Sequence, residues 1–289
     1  MDPWRYLTAG SKESMVTFYQ LTSSHHYISA TISYTLLNNY LTDSNIFRML
    51  DEITACIKAI KRELKEQGFD ENKLKLAIGG YSASAHLALL YSYLIGQFNI
   101  IPIEFLINIA GPISLEPQYF LKLNSKEDSL EDIKNISIIE EAKNEGKLIP
   151  SFDEPTLLRI SNLFFGNNYT VEELEEMLDK EGHIIKSNEK YQNMYKVIKY
   201  AFITEIEKSK SNIDTLCFYG GLDETIGVSV FANLKEKADK DGRKLELIYS
   251  RYTKHNTLIS SVGFTSPAKI HEIEKLVEFS HRIKKYAKK

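Results

Sequence analysis

The sequence predicts an α/β fold with a mostly parallel sheet and helices on both faces of that sheet. Short apolar runs typical of buried strands alternate with amphipathic stretches, and no internal repeat or Pro-rich or Gly/Ser-rich linker separates them. Residues 111–212 break the alternation, because they are polar, contain several helical segments and include no convincing strand. A chain of 289 residues is long enough for one such domain and short for two, so we expect a single domain over 1–289 with 111–212 inserted as a helical cap.

The first strand and the first helix are predicted before residue 70. Residues 27–34 (YISATISY) are rich in β-forming residues and favour a strand. Apolar residues then recur at steps of three and four, which is typical of an amphipathic helix, and the pattern closes at Gly68. The apolar positions of this predicted helix are Ile46, Met49, Leu50, Ile53, Ile57, Ile60 and Leu64.

The remaining elements follow the same alternation. A last helix is predicted with Ser266 as its N-cap and Pro267 at its first position. Inside the predicted cap, Thr170 and Glu173 have the spacing of a capping box, and the helix that they begin is expected to stop near Gly182. Further strands are predicted over 74–78, 103–109, 215–219 and 244–250, and further helices over 84–94 and 228–240.

Composition excludes several classes of function. The net charge is −3 and the charged residues of both signs are interspersed, so no basic face for nucleic acid is expected. Cys56 and Cys217 lack the spacing of a metal or redox motif and are expected to be reduced core thiols. Neither a secretion signal nor a run of ~18 apolar residues occurs, so we expect no membrane span and a cytoplasmic location. Oligomeric state stays open, a homo-oligomer included.

A sharp turn with a central serine follows the strand predicted at 74–78. A side chain at the centre of such a strained turn requires small residues two positions before and two positions after it. Gly80 and Ser84 meet that requirement around Ser82, although the usual G-x-S-x-G pattern has glycine at both places. Ser82 is therefore a candidate nucleophile, and the alternative is a serine that caps the following helix.

A serine nucleophile needs a base, and the base needs a carboxylate that orients it. Asp223 directly follows the strand predicted at 215–219, and His255 follows the strand predicted at 244–250. Parallel strands bring such positions to one edge of the sheet. Glu224 is the natural competitor of Asp223. The other histidines precede a strand, lie on predicted helices or belong to the insertion, and His86 is expected to pack on a buried helix.

These segments resemble the hormone-sensitive-lipase-like and carboxylesterase-like branch of the α/β-hydrolase superfamily. Residues 80–87 are similar to its G-D-S-A-G-G-H-L motif, 219–226 to H-G-x-x-D-x-x-V, and 28–37 to the strand that ends in Y-R-L. The chain order Ser, Asp, His is also the one found in this superfamily. The resemblance implies hydrolysis of a carboxylic ester of a small-molecule acyl substrate through an acyl-enzyme, with Ser82, His255 and Asp223 as the triad.

The same resemblance implies the supporting residues of the site. The backbone N–H of Ala83 would stabilise the oxyanion, and Tyr81 and Trp4 would contact substrate. It implies no cofactor and no metal. Two alternatives stay open, namely a hydrolase-like binding protein with impaired catalysis and a peptidase or amidase on the same fold.

The sequence departs from the family at its beginning. No H-G-G segment is present to supply the other oxyanion donors, and Trp4 and Gly10 resemble residues just downstream of that segment. We therefore expect a chain that lacks the family's first strands, including the one that lies between the strands predicted at 27–34 and 74–78. Weak hydrolysis and marginal stability are the expected consequences.

Overall fold

The structure is a computed structural model that describes residues 22–24, 27–37, 44–95, 100–124, 136–200, 213–242, 245–255, 277–278 and 280–285. Its strands are β1 (Leu76–Tyr81), β2 (Ile103–Ile109), β3 (Leu121–Leu123), β4 (Leu148–Pro150), β5 (Asp214–Gly220) and β6 (Leu245–Ser250). Its α-helices are α1 (Ile46–Glu66), α2 (Ala83–Leu90), α3 (Ile136–Asn144), α4 (Glu154–Phe165), α5 (Val171–Glu175), α6 (Glu189–Tyr200) and α7 (Val228–Asp241). Within these ranges, none of the helices combines the length and the apolar character needed to cross a membrane.

Four strands form a parallel sheet in the order β1-β2-β5-β6, which confirms the predicted fold class. The carboxyl ends of β1, β5 and β6 are followed by Ser82, by the loop that contains Asp223, and by the loop that ends at His255. Because the strands are parallel, these three loops lie at one edge of the sheet. Residues 111–212 fall between β2 and β5, which are neighbours in the sheet although the insertion separates them in sequence.

Both faces of the sheet are apolar, as a parallel sheet requires. Side chains alternate along each strand, so Leu106 and Cys217 join the larger core with α1, α2, α7 and much of the insertion. Cys217, in the middle of β5, has no exposed surface. The second face packs Phe105, Ile107, Ile109, Leu216, Phe218 and Ile248 together with Tyr81 and Ile283.

The strands predicted over 74–78, 103–109, 215–219 and 244–250 are confirmed as β1, β2, β5 and β6, with ends shifted by up to three residues, and the first predicted helix is confirmed as α1. Asn45 caps α1 by accepting hydrogen bonds from the backbone N–H groups of Phe47 and Arg48. Gly68 has φ of +90°, a left-handed conformation that glycine adopts without strain, and it closes α1 where the sequence predicted. The helix predicted over 84–94 instead divides into α2 and a π-helical turn over Tyr91–Ile95.

The prediction of a strand over 27–34 is wrong. Described residues 27–37 are extended but form no β-ladder, since no strand among the described residues pairs with them. The backbone N–H of Thr35 donates to the Glu52 carboxylate at 2.6 Å, and the Thr35 hydroxyl donates to its other oxygen at 2.6 Å. These two hydrogen bonds attach the end of the extended segment to α1.

The insertion contains a short strand pair that the sequence did not predict. β3 and β4 are antiparallel and three residues long each, which is too short for an alternating pattern to be recognised. The capping box is confirmed, because Thr170 and Glu173 each bond the backbone of the other at the start of α5. That helix ends at Glu175, earlier than the expected end near Gly182.

Several contacts among the described residues join the insertion to the helices that flank the sheet. The Ser229 hydroxyl at the start of α7 donates to the Tyr119 carbonyl and accepts from the Leu121 N–H. His86 on α2 stacks on Phe164 of α4, with ring centroids 5.5 Å apart. The predicted caps of the last helix, Ser266 and Pro267, lie outside the described residues.

Candidate active site

Ser82 occupies a strained turn between β1 and α2. Its φ of 54° and ψ of −120° lie outside the regions that a residue with a side chain normally adopts. A Cβ on Gly80 would lie 2.4 Å from the backbone carbon of Ser84, so the turn requires glycine at position 80. The Ser82 side chain makes no capping hydrogen bond to α2, which argues against the alternative of a serine that only caps the helix.

Ser84 takes the place of the second glycine of the usual pattern, and it adds hydrogen bonds to the turn. Its hydroxyl donates to the Tyr81 carbonyl at 2.8 Å and accepts from the Tyr81 N–H at 3.2 Å. The Ser82 N–H donates to the carbonyl of Ile109 at the end of β2. The turn is thus held on both sides of Ser82, by its own helix and by the neighbouring strand.

Asp223 lies in the loop that follows β5, and its side chain is almost completely buried. Its Oδ1 accepts from the backbone N–H groups of Thr225 and Ile226, both at 2.8 Å. Its Oδ2 lies 2.7 Å from Nδ1 of His255. Glu224, the competitor in the sequence, is exposed. A buried carboxylate is stable only when hydrogen-bonded, and these three donors meet that requirement.

His255 joins the carboxylate to the serine. Its Nε2 lies 3.0 Å from Oγ of Ser82, while its Nδ1 faces Asp223. Its side chain is 15% exposed, in contrast to the fully buried side chain of Asp223. With Nδ1 protonated, the ring donates to the carboxylate and accepts from the serine hydroxyl, which is the tautomer that a general base requires.

The loops that carry Asp223 and His255 are bonded to each other through their backbones. Gly221 N–H donates to the Ser250 carbonyl at 2.9 Å, and Leu222 N–H donates to the Thr253 carbonyl at 3.1 Å. A Cβ on Gly220 would lie 2.2 Å from that Thr253 carbonyl, so the close approach of the loops depends on glycine. The separation of acid and base is therefore set by the backbone as well as by their side chains.

The other predicted site residues have different surroundings. Ala83 is the first residue of α2, where a backbone N–H has no acceptor within the helix. Tyr81 is 5% exposed, and its hydroxyl donates to the His255 carbonyl at 2.5 Å. Trp4 lies outside the described residues. No signal in the sequence indicated the contact between Tyr81 and His255, because its acceptor is a backbone group far along the chain.

Of the other described histidines, His86 bonds Ser82 through its backbone, since its N–H donates to the Ser82 carbonyl at 3.1 Å within the first turn of α2. His86 has no exposed surface, and burial lowers its pKa to about 3, so the ring is neutral at physiological pH. His183 is exposed and lies 3.4 Å from the Glu154 carboxylate. Among the described residues, no group of three or more His, Cys, Asp or Glu side chains could hold a metal ion.

Comparison with known proteins identifies the fold. No protein-family model matches the sequence, and no curated protein matches it. Solved structures do match, among them carboxyl esterase 2 from the fungus Tuber melanosporum, with a TM-score of 0.51 and 15% identity over 96% of this chain and 74% of that chain. A fungal esterase from Rhizomucor miehei matches with a TM-score of 0.56 and 15% identity over 96% of this chain and 71% of that chain.

A third match is an esterase from Pyrobaculum calidifontis, with a TM-score of 0.55 and 14% identity over 96% of this chain and 73% of that chain. The class of the molecule is therefore an α/β-hydrolase fold. The three neighbours named above are esterases, in agreement with the carboxylesterase-like branch that the sequence resembles.

Proposed function

We propose that this protein is a serine hydrolase that cleaves carboxylic esters through an acyl-enzyme. The observation that carries the proposal is the unbroken series of contacts from Ser82 Oγ to His255 Nε2 at 3.0 Å and from His255 Nδ1 to Asp223 Oδ2 at 2.7 Å. The position of Ser82 in a strained strand-to-helix turn supports the nucleophilic role, since its hydroxyl makes no capping bond. The esterase identity of the structural neighbours is consistent with this chemistry.

In the proposed reaction, Ser82 Oγ attacks the ester carbonyl while His255 Nε2 accepts the hydroxyl proton. The Asp223 carboxylate stabilises the imidazolium that forms and keeps Nδ1 protonated. His255 then donates the proton to the leaving alkoxide, and the acyl group stays bonded to Ser82. Water attacks this acyl-enzyme with His255 as base again, and the acid and free serine are released.

The tetrahedral intermediate carries an oxyanion that needs hydrogen-bond donors. The backbone N–H of Ala83 directly follows the nucleophile and has no helical acceptor, so we assign it as one donor. Among the described residues, we identify no second donor with the same support. Loss of one donor typically lowers turnover by ~10²-fold to 10³-fold, so we expect a slow hydrolase.

We further propose that the insertion, residues 111–212, acts as a cap that shapes the binding site. It leaves the sheet after β2 and returns at β5, and its β3 strand is bonded to Ser229, six residues after Asp223. Its Phe164 packs on His86, four residues after Ser82. Contacts with the helices behind both reactive loops support a role in restricting the acyl substrate.

The test is covalent labelling with an active-site-directed fluorophosphonate, combined with turnover of short-chain p-nitrophenyl esters. We expect labelling of the wild type and none of Ser82→Ala, because only an activated serine attacks the phosphorus. Ser92→Ala is the matched control, since it removes another buried serine whose hydroxyl donates to Ala88. Labelling that persists in Ser82→Ala would exclude Ser82 as nucleophile. Turnover of anilides in preference to esters would instead favour an amidase.

A further inference from the structure

Tyr81 links the strand that carries the nucleophile to the backbone of the base. It is the last residue of β1 and directly precedes Ser82. Its hydroxyl donates to the main-chain carbonyl of His255 at 2.5 Å, across 174 positions in the sequence. One side chain therefore connects the two residues that exchange a proton in the proposed reaction.

The aromatic ring of Tyr81 is itself held in place by packing. The residue is 5% exposed and belongs to the apolar cluster on the second face of the sheet, together with Ile109 and Phe218. Its ring also packs against the imidazole of His255, with centroids 5.0 Å apart and planes inclined by 41°. Because the core fixes the ring, the hydroxyl has a fixed position from which to donate.

The rest of the His255 loop is held from the opposite side. Residues before it are bonded to the loop that carries Asp223, through Leu222 N–H to the Thr253 carbonyl and through Gly221 N–H to the Ser250 carbonyl. At the imidazole, Nδ1 contacts Asp223 and Nε2 contacts Ser82. Within the described part of the chain, Tyr81 supplies the hydrogen bond made to the main chain of His255 itself.

We propose that Tyr81 is a positioning residue that fixes the backbone of His255 and thereby the approach of its Nε2 to Ser82. This inference rests on the proposed function and deepens it. A backbone shift at His255 would move the ring relative to both Ser82 and Asp223. We therefore expect it to slow proton transfer and to leave the affinity for substrate unchanged. A neutral hydrogen bond of this kind accounts for a rate change of about threefold to tenfold.

The first test compares Tyr81→Phe with Tyr91→Phe. The first variant keeps the packed ring and removes the donor to His255, and the second removes another buried hydroxyl, one that bonds Thr54. We expect Tyr81→Phe to lower kcat and the rate constant of fluorophosphonate labelling by about threefold to tenfold with an unchanged KM. Tyr91→Phe should leave both rates unchanged, whatever it does to the melting temperature. If kcat and the labelling rate constant fall in both variants in proportion to a loss of melting temperature, the inference is overturned.

The second test does not depend on turnover. Nuclear magnetic resonance of histidine-labelled protein follows the imidazole signals, with His255→Ala used to assign those of His255. In Tyr81→Phe we expect the His255 signals to shift or broaden while those of the buried His86 stay unchanged. If the wild type is neither labelled nor active, the proposed function fails, and these signals still decide the role of Tyr81. Unchanged His255 signals in Tyr81→Phe would refute it.

Discussion

The reactive loops beside the parallel sheet and the helix starts of the insertion are held in place by different kinds of hydrogen bond. In the sheet, backbone ladders and two apolar faces fix the strands, and the reactive loops are bonded to each other through main-chain groups such as Leu222 N–H and the Thr253 carbonyl. In the insertion, helices begin at side chains that bond the backbone, as Asp153 does at α4. The Asn162 side chain bonds both the N–H and the carbonyl of Tyr169.

This difference indicates a division of roles between the two regions. Main-chain contacts change little when side chains change, so the sheet can keep the three reactive groups at fixed separations. Contacts made by side chains are easily replaced, which is consistent with the role of a cap proposed for the insertion. We therefore expect substitutions in the sheet to remove reactivity, and substitutions in the insertion to change stability or substrate preference.

The largest effect is expected from His255→Ala. Without the base, the Ser82 hydroxyl remains protonated when it attacks, and ester turnover should fall by ~10³-fold or more. Asp223→Asn should be damaging but less complete, because the acid orients the base and does not accept the proton. Stopped assays with short acyl esters measure both, with the exposed His281→Ala as control. A His255→Ala variant with activity within tenfold of wild type would contradict the assignment of the base.

Two glycine substitutions test the difference between the two regions directly, one beside the sheet and one against the insertion. A Cβ at Gly220 would meet the Thr253 carbonyl at 2.2 Å, and one at Gly227 would overlap the Leu121 carbonyl of β3. Gly220→Ala should separate the acid and base loops, cost about 3 kcal/mol in the free energy of unfolding and abolish labelling of Ser82. Gly227→Ala should displace β3, retain labelling and change the dependence of KM on acyl length. Denaturation and labelling of both variants check this, and equal loss of labelling would refute the division of roles.

His86, which stacks on Phe164 of the insertion, should make the free energy of unfolding depend on pH. Burial lowers the pKa of His86 from 6.5 to about 3, so the unfolded chain binds this proton at a higher pH than the folded chain does. The stability that the neutral ring contributes is present above pH ~6.5 and is lost towards pH 3, by as much as ~1.4 kcal/mol per pH unit. His86→Leu should flatten this acid dependence in urea unfolding series. The exposed His183→Gln serves as control, and parallel curves for wild type and His86→Leu would contradict the prediction.

The smallest effect is expected from Thr170→Ala in the insertion. The substitution removes the hydroxyl that accepts from the Glu173 N–H at the start of α5, and a lost N-cap costs about 1 kcal/mol. Ester turnover should stay at the wild-type value, because α5 makes no described contact with the reactive loops. Val171→Ala, at an exposed neighbouring position, is the matched control in chemical denaturation. A loss of turnover in Thr170→Ala would show that this helix also supports the site.

The sequence predicted the sheet well because buried parallel strands are continuous apolar runs. The prediction for β2 agrees with the structure at both ends, and those for β5 and β6 agree to within one residue. Residues 27–34 are also rich in β-forming residues, yet a strand needs a partner, and pairing is not a property of the segment alone. The π-helical turn at Tyr91–Ile95 likewise depends on packing and has no local signature.

In the candidate site too, residues with a local sequence signal could be predicted, and contacts with the backbone of a distant segment could not. Ser82 could be found because a strained turn demands small neighbours, and Asp223 and His255 because they follow strands. The hydrogen bond from Tyr81 to the His255 carbonyl could not be found, since any residue type supplies a carbonyl. The approach of Gly220 to Thr253 was equally invisible, because it depends on how two loops meet.

The thiol in the middle of β5 makes opening of the sheet measurable without any substitution. Cys217 has no exposed surface and burial raises its pKa, so a thiol reagent modifies it only in molecules whose sheet has opened. Cys56 on α1 is partly exposed and should react in the folded state. The rate at which Cys217 is modified therefore measures how often the central strands separate. The interval between these openings is the time for which the proposed catalytic arrangement persists.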